Sequence, residues 1–154
     1  MINLEQWAGN YTAAGVTGLA VDVRNFGPDE VALRLLLENP KGAVPTDRAI
    51  TSPLILPPGS PWTSISFSLL PGDLKVLQGD VDVLLGEVTE LRFFHGVADG
   101  FPGESLTAQL GIDNLRALGA QRVTEPGSLV LLSLGLAGGA MLRRRPGSAL
   151  TPPA

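Results

Sequence analysis

Between residues 16 and 112 apolar positions recur mostly at every second residue. Residues 16–24 set Leu19, Val21 and Val23 against Ala20, Asp22 and Arg24, the pattern of a half-buried strand. Asn25-Phe26-Gly27-Pro28-Asp29 is turn chemistry, with Gly and Pro side by side. Residues 31–38 follow, with Val31, Leu33, Leu35 and Leu37 on one face. Their propensity also suits a helix, but the preceding strand and the two-residue period favour a strand. Residues 51–56 predict a weaker strand, and 62–69 set Thr63, Ile65, Phe67 and Leu69 against Trp62, Ser64, Ser66 and Ser68. The stretch 74–85 is mixed and predicts neither form. Residues 88–95 read as a strand, 96–103 as a loop and 105–112 as the last strand. About six short strands between Gly/Pro turns predict an all-β fold, an antiparallel β-sandwich occupying residues 1–118.

The alternation then stops. Residues 119–127 form a linker, residues 128–142 carry no charge and are rich in Leu, Ala and Gly, and Arg143, Arg144 and Arg145 end the run. A helix rises about 1.5 Å per residue, so the uncharged residues from Gly127 to Leu142 span roughly 24 Å against a hydrocarbon core of roughly 30 Å. Interfacial residues and local thinning of the bilayer absorb such a mismatch. The expectation is one transmembrane helix over 128–142 and a basic cytoplasmic tail over 143–154, because arginines next to a span stay on the cytoplasmic side. The body then lies outside the inner membrane.

Thr124-Glu125-Pro126, the Leu/Gly/Ala-rich span and Arg143-Arg144-Arg145 occur in that order at the end of the chain. Together they resemble the PEP-CTERM sorting signal of Gram-negative bacteria that make extracellular polysaccharide. Thr124 stands where the first Pro of the usual Pro-Glu-Pro is commonest. The resemblance implies recognition and removal of the tail by an exosortase-type membrane enzyme, with the cell surface or extracellular matrix as destination. The opening residues 1–7 contain neither a basic nor an apolar leader region, which predicts a chain truncated at its N-terminus or one whose tail is its sole membrane signal.

Composition narrows the chemistry. The absence of cysteine excludes disulfides, thiol catalysis and Cys-based zinc sites. Up to Arg122 the chain has 14 acidic and 8 basic residues, a net −6 with no basic stripe, which argues against nucleic acid. His95 is the lone histidine, and no Gly-x-Ser-x-Gly elbow or His-x-x-x-His pair accompanies it. Glu87 with Glu90, or Asp80 with Asp82, are the carboxylate pairs available for glycosidase work, and nothing in the sequence singles one out. No enzyme is predicted.

Residues 62–67, 88–93 and 110–115, ending in Ile112-Asp113-Asn114-Leu115, resemble the later strands of a jelly-roll sandwich of the carbohydrate-binding-module or laminin-G-like kind. That resemblance implies Asp113 as a ligand of a structural calcium; read locally, Asp113-Asn114 simply makes a turn after the strand. Asp80, Asp82, Asp99 and Glu104 read as solvated surface. Among Trp7, Tyr11, Trp62, Phe94 and Phe101, the residues placed for contact with a polysaccharide are Trp62, on the polar side of its strand, and Phe101, in a Gly-rich loop. No other cofactor is implied. The sequence therefore predicts a non-enzymatic exported surface or matrix protein. The alternatives are a glycan-binding module and an uncleaved, membrane-anchored structural protein.

Overall fold

The computed structural model describes residues 2–3, 6–40 and 44–119. All belong to one compact unit, Met1–Gln121, and the remaining unit is Arg122–Ala154. The elements in order are β1 (Ile2–Asn3), β2 (Gly18–Asn25), β3 (Val31–Asn39), β4 (Asp47–Ile50), β5 (Leu54–Leu56), β6 (Thr63–Ser68), a 3₁₀ turn (Pro71–Asp73), β7 (Lys75–Gln78), α1 (Val81–Gly86), β8 (Glu90–His95) and β9 (Leu110–Leu118). They form two antiparallel sheets. One runs β1-β8-β3-β4-β7 with β5 also on β3, and the other runs β6-β2-β9. Leu19, Val21, Val23 and Phe67 from the smaller sheet share a core with Val31, Leu33, Leu35, Leu37, Leu91 and Phe93 from the larger. Phe67 and Phe93 meet edge-on in that core, their ring centroids 6.2 Å apart.

The period-two reading of β2 and β6 holds in part: Leu19, Val21, Val23 and Phe67 point inward and Asp22, Ser64, Ser66 and Ser68 remain at least partly exposed, but Ala20 is buried on the outward side and Thr63 is exposed on the inward one. In β3 it describes one face only. Ala32, Arg34, Leu36 and Glu38, expected toward solvent, are buried as well. Loop 96–104 accounts for part of this cover, because Arg34 holds it down with bonds from Nε to the Gly96 carbonyl (2.8 Å) and from NH2 to the Val97 carbonyl and Asp99 (both 3.1 Å).

Three boundaries differ from the sequence pattern. Of the strand expected over 51–56 only β5, Leu54–Leu56, is strand; β4 precedes the expected span, and the two pair with different parts of β3. Between them Thr51 replaces a ladder carbonyl with its hydroxyl, which accepts from the Leu35 N–H at 3.0 Å, and Pro53 has no N–H to donate. The unassigned stretch 74–85 becomes β7 and α1. Gly79 turns between them at φ 73, with the Asp47 backbone too close for any side chain there. Asp80 then caps α1 by accepting from the N–H groups of Asp82 and Val83.

The final strand lies over Leu110–Leu118, not 105–112, and pairs with the whole of β2 from Asn25↔Leu110 to Gly18↔Leu118. The register breaks between Ala20↔Arg116 and Asp22↔Asp113, so β9 carries one residue more than β2 there. Asn114 absorbs it at φ 51, a conformation Asn tolerates better than most residues. Asp113-Asn114 is thus a bulge inside a strand and not the turn read locally. Among the described residues no helix is long and apolar enough to cross a membrane. The helix expected over 128–142, Thr124, Glu125 and Pro126, and Arg143, Arg144 and Arg145 lie outside the described residues.

Candidate functional site

The outer face of the smaller sheet carries the one exposed aromatic pair recorded among the described residues. Trp62, just before β6, is 47% exposed and Phe26, just after β2, is 45% exposed. Their rings meet edge-to-face at 6.3 Å and 89°. The floor beneath them is Gly111, where a Cβ would lie 2.8 Å from the Trp62 ring and 3.0 Å from that of Phe26. Arg24, whose partner across the ladder is Gly111, lays its guanidinium over the Phe26 ring, 4.5 Å from the ring centre.

Beside this pair is an open cleft of about 300 Å³, lined by Asp22, Trp62, Thr63, Ser64, Asp113 and Asn114. Strand pairing sets it up: Asp22 is opposite Ser64 on β6 and Asp113 on β9. In a regular strand Asp113 and Asn114 would point to opposite faces. The bulge leaves both exposed, and both line the cleft. Ser64 donates its hydroxyl to Asp22 Oδ1, and Asn114 Nδ2 donates to Asp22 Oδ2 at 2.7 Å. Those two bonds hold the Asp22 carboxyl below its usual pKa, the Ser64 bond contributing most. Asp113 accepts from the Asn114 N–H at 2.8 Å. The result is a fixed row of oxygen acceptors next to an indole face.

The remaining sequence candidates have other employment. Phe101 packs on Phe94 at 5.4 Å and covers the guanidinium groups of Arg92 and Arg48 at 5.1 and 5.4 Å. Trp7 packs against the core, and buried Tyr11 donates its hydroxyl to the Trp7 carbonyl at 2.7 Å. Burial pushes that phenol up to about 12. His95 Nδ1 accepts from the Ala32 N–H at 3.0 Å, a structural tie. Asp99 pairs with Arg34, and Glu104 accepts from the N–H groups of Val97 and Ala98, which lowers its pKa. These carboxylates and the capping Asp80 are exposed, as expected of solvated surface, and each is also bonded. Glu90 binds Arg92 within an ion network that also holds Glu38 and Arg48. Neither carboxylate pair named from the sequence forms a site: Asp80 caps α1 beside Asp82, and Glu90 is consumed by Arg92.

Asp113 has Asp22 across the ladder. Among the described residues no group of three or more His, Asp or Glu side chains is placed to hold a metal ion. Phe26, Asp22 and Ser64 are not singled out by the sequence, and Asn114 is read there only with Asp113, as a turn. Phe26 sits in a turn, where its partner ring is invisible, and the polar three are united by strand pairing.

Residues 122–145 match the PEP-CTERM protein-sorting motif. The motif implies processing by an exosortase-type membrane enzyme, transit through the membrane and export to the surface or beyond. No curated protein and no solved structure matches the chain.

Proposed function

We propose that this is a non-enzymatic surface or extracellular-matrix protein of a Gram-negative bacterium, sorted through its tail, whose β-sandwich binds extracellular polysaccharide at the Trp62 cleft. The observation that carries the reading is the exposed Trp62–Phe26 pair seated on Gly111 at the rim of a polar cleft. Pyranose rings present apolar C–H faces that stack on indole, while their hydroxyls need fixed hydrogen-bond partners. The cleft supplies both. A two-sheet antiparallel body agrees with a likeness to jelly-roll carbohydrate-binding modules, although its strands divide six and three.

The non-enzymatic part rests on the carboxylates. Glycoside hydrolysis needs a general acid whose pKa is raised so that it is protonated in use. Asp22 is shifted the other way. Both its oxygens already accept, from Ser64 and Asn114, which supports reading it as a fixed acceptor.

Affinity electrophoresis of the full chain in detergent, through gels containing neutral or acidic polysaccharides, tests the reading. Retardation lost on Trp62→Ala is expected; mobility unaffected by every polysaccharide would refute it. The fate of the tail is checked separately, by mass spectrometry of the native product. Sorting by an exosortase-type enzyme removes Arg143, Arg144 and Arg145, whereas a C-terminus that still carries them marks an uncleaved membrane anchor.

A further inference from the structure

The chemistry of the cleft goes further than "polysaccharide". Among the described residues its lining contains two carboxylates, one amide and two hydroxyl-bearing side chains beside the indole, and no cation. Asp22 is opposite Asp113 in the ladder, so the two acids converge on one space. Arg24 and Arg116 belong to the same sheet but not to the lining; Arg24 is committed to the face of Phe26, and the charge of Arg116 reaches Asp22 only as the smallest of the influences on it. We infer that the Trp62–Asp22–Asp113 cleft takes a neutral hexose chain and rejects chains bearing uronates or other anionic sugars. This rests on the polysaccharide-binding reading above.

The physical argument concerns donors and acceptors. A neutral pyranose offers several hydroxyl donors, and a carboxylate offers about four lone-pair positions. The bonds from Ser64 and Asn114 occupy one position on each Asp22 oxygen, so each retains a further one for a sugar hydroxyl. Those bonds also fix the carboxylate in place before any ligand arrives, so no side-chain freedom has to be lost on binding. An anionic sugar meets the opposite situation. Its carboxylate brings acceptors to acceptors, and like charges brought together across a binding site disfavour the complex strongly. The volume of about 300 Å³ is at the small end of ligand sites, suited to one ring of a chain held against Trp62.

The closing experiment measures the full chain in detergent against dextran and galactomannan as neutral probes and against alginate and polygalacturonate as anionic ones, each with EGTA and again with calcium. The expected result has three parts. At least one neutral probe binds in EGTA and is lost on Trp62→Ala. Both anionic probes bind at least about tenfold more weakly. The double variant Asp22→Asn/Asp113→Asn weakens the neutral probe about tenfold and narrows the gap to the anionic ones, since the amides keep the shape while removing the charge.

Anionic probes that bind as tightly as neutral ones, and that are lost on Trp62→Ala, overturn the inference and leave the polysaccharide reading standing. So does anionic binding that appears only with calcium, because the two acids would then hold a bridging cation. Failure of all four probes, or binding insensitive to Trp62→Ala, overturns both readings. Asp113 is exposed and Asp22 half-buried, and each amide has the shape of the acid it replaces, so the variants are expected to keep the fold; a thermal melt of each checks this.

Discussion

The two outer faces of the sandwich use the same materials to opposite ends. On the larger sheet Glu38 sits between Arg48 and Arg92, Glu90 binds Arg92, and Phe101 lies over both arginines. Glu38 is 1% exposed. On the smaller sheet Asp22 is held by Ser64 and Asn114, Arg24 lies against Phe26, and Trp62 stands beside them, yet the face is open. What separates the faces is loop 96–104. Where it covers the sheet, charges and aromatic rings satisfy one another and leave no room for a ligand. Where none of the described segments covers it, the same residue types are fixed in position and still available.

That contrast is breakable by substitution, and the largest effect belongs to the sealed face. Glu38→Ala removes the partner of Arg48 and one partner of Arg92 while both arginines stay mostly covered, and is expected to cost about 3–5 kcal/mol in urea unfolding. Phe101→Ala uncovers the same guanidinium groups and opens the contact with Phe94, at about 2 kcal/mol. Polysaccharide retardation of the surviving folded protein is expected to be unchanged in that variant. Loss of binding there with Trp62 intact would erase the distinction between the faces.

On the open face the order reverses, with small stability effects and large binding effects. Gly111→Ala presses a Cβ against the ends of the Trp62 and Phe26 rings, which swing aside; stability changes by less than about 1 kcal/mol, while retardation by polysaccharide weakens. Trp62→Ala stays within about 0.5 kcal/mol of wild type in the same unfolding assay. A loss of several kcal/mol would mark Trp62 as a packing residue and not a platform.

The smallest effect is one of pH. Asp22 has its folded pKa lowered below 3.8, first by Ser64 and then by Asn114. A depressed carboxylate adds stability above its unfolded pKa, and that contribution is lost as pH falls through the lower folded value. Melting temperature followed below about pH 4 should therefore fall slightly more steeply in wild type than in Asp22→Asn. Parallel curves would mean that the Ser64 and Asn114 bonds do not persist in solution.

Local pattern disclosed much of this fold, for identifiable reasons. β2 and β6 have solvent on one side, so their inward and outward residues alternate in the sequence as they do in space. β3 is central and covered on both faces, and its even positions give no sign that Arg34 and Glu38 are buried, because the cover comes from distant segments: residues 96–104 over Arg34, and Arg48 and Arg92 against Glu38. Trp62 was visible as the large apolar residue on a serine-bearing face. Phe26 was not, since its role depends on Gly111, which approaches it only through pairing of β2 with β9.

By itself the sequence determined the β character of the body, the polar outer face of β2 and β6, and the sorting motif over 122–145, because each is written in residues adjacent along the chain. The tertiary structure decided where that polar face becomes a cleft. The register of β9 on β2 brings Asp113 opposite Asp22, and the one-residue bulge at Asn114 leaves both bulge residues at the cleft. Neither follows from local pattern, since register and bulge are fixed by pairing between segments about ninety residues apart, where the free energy of the whole sheet chooses among alignments.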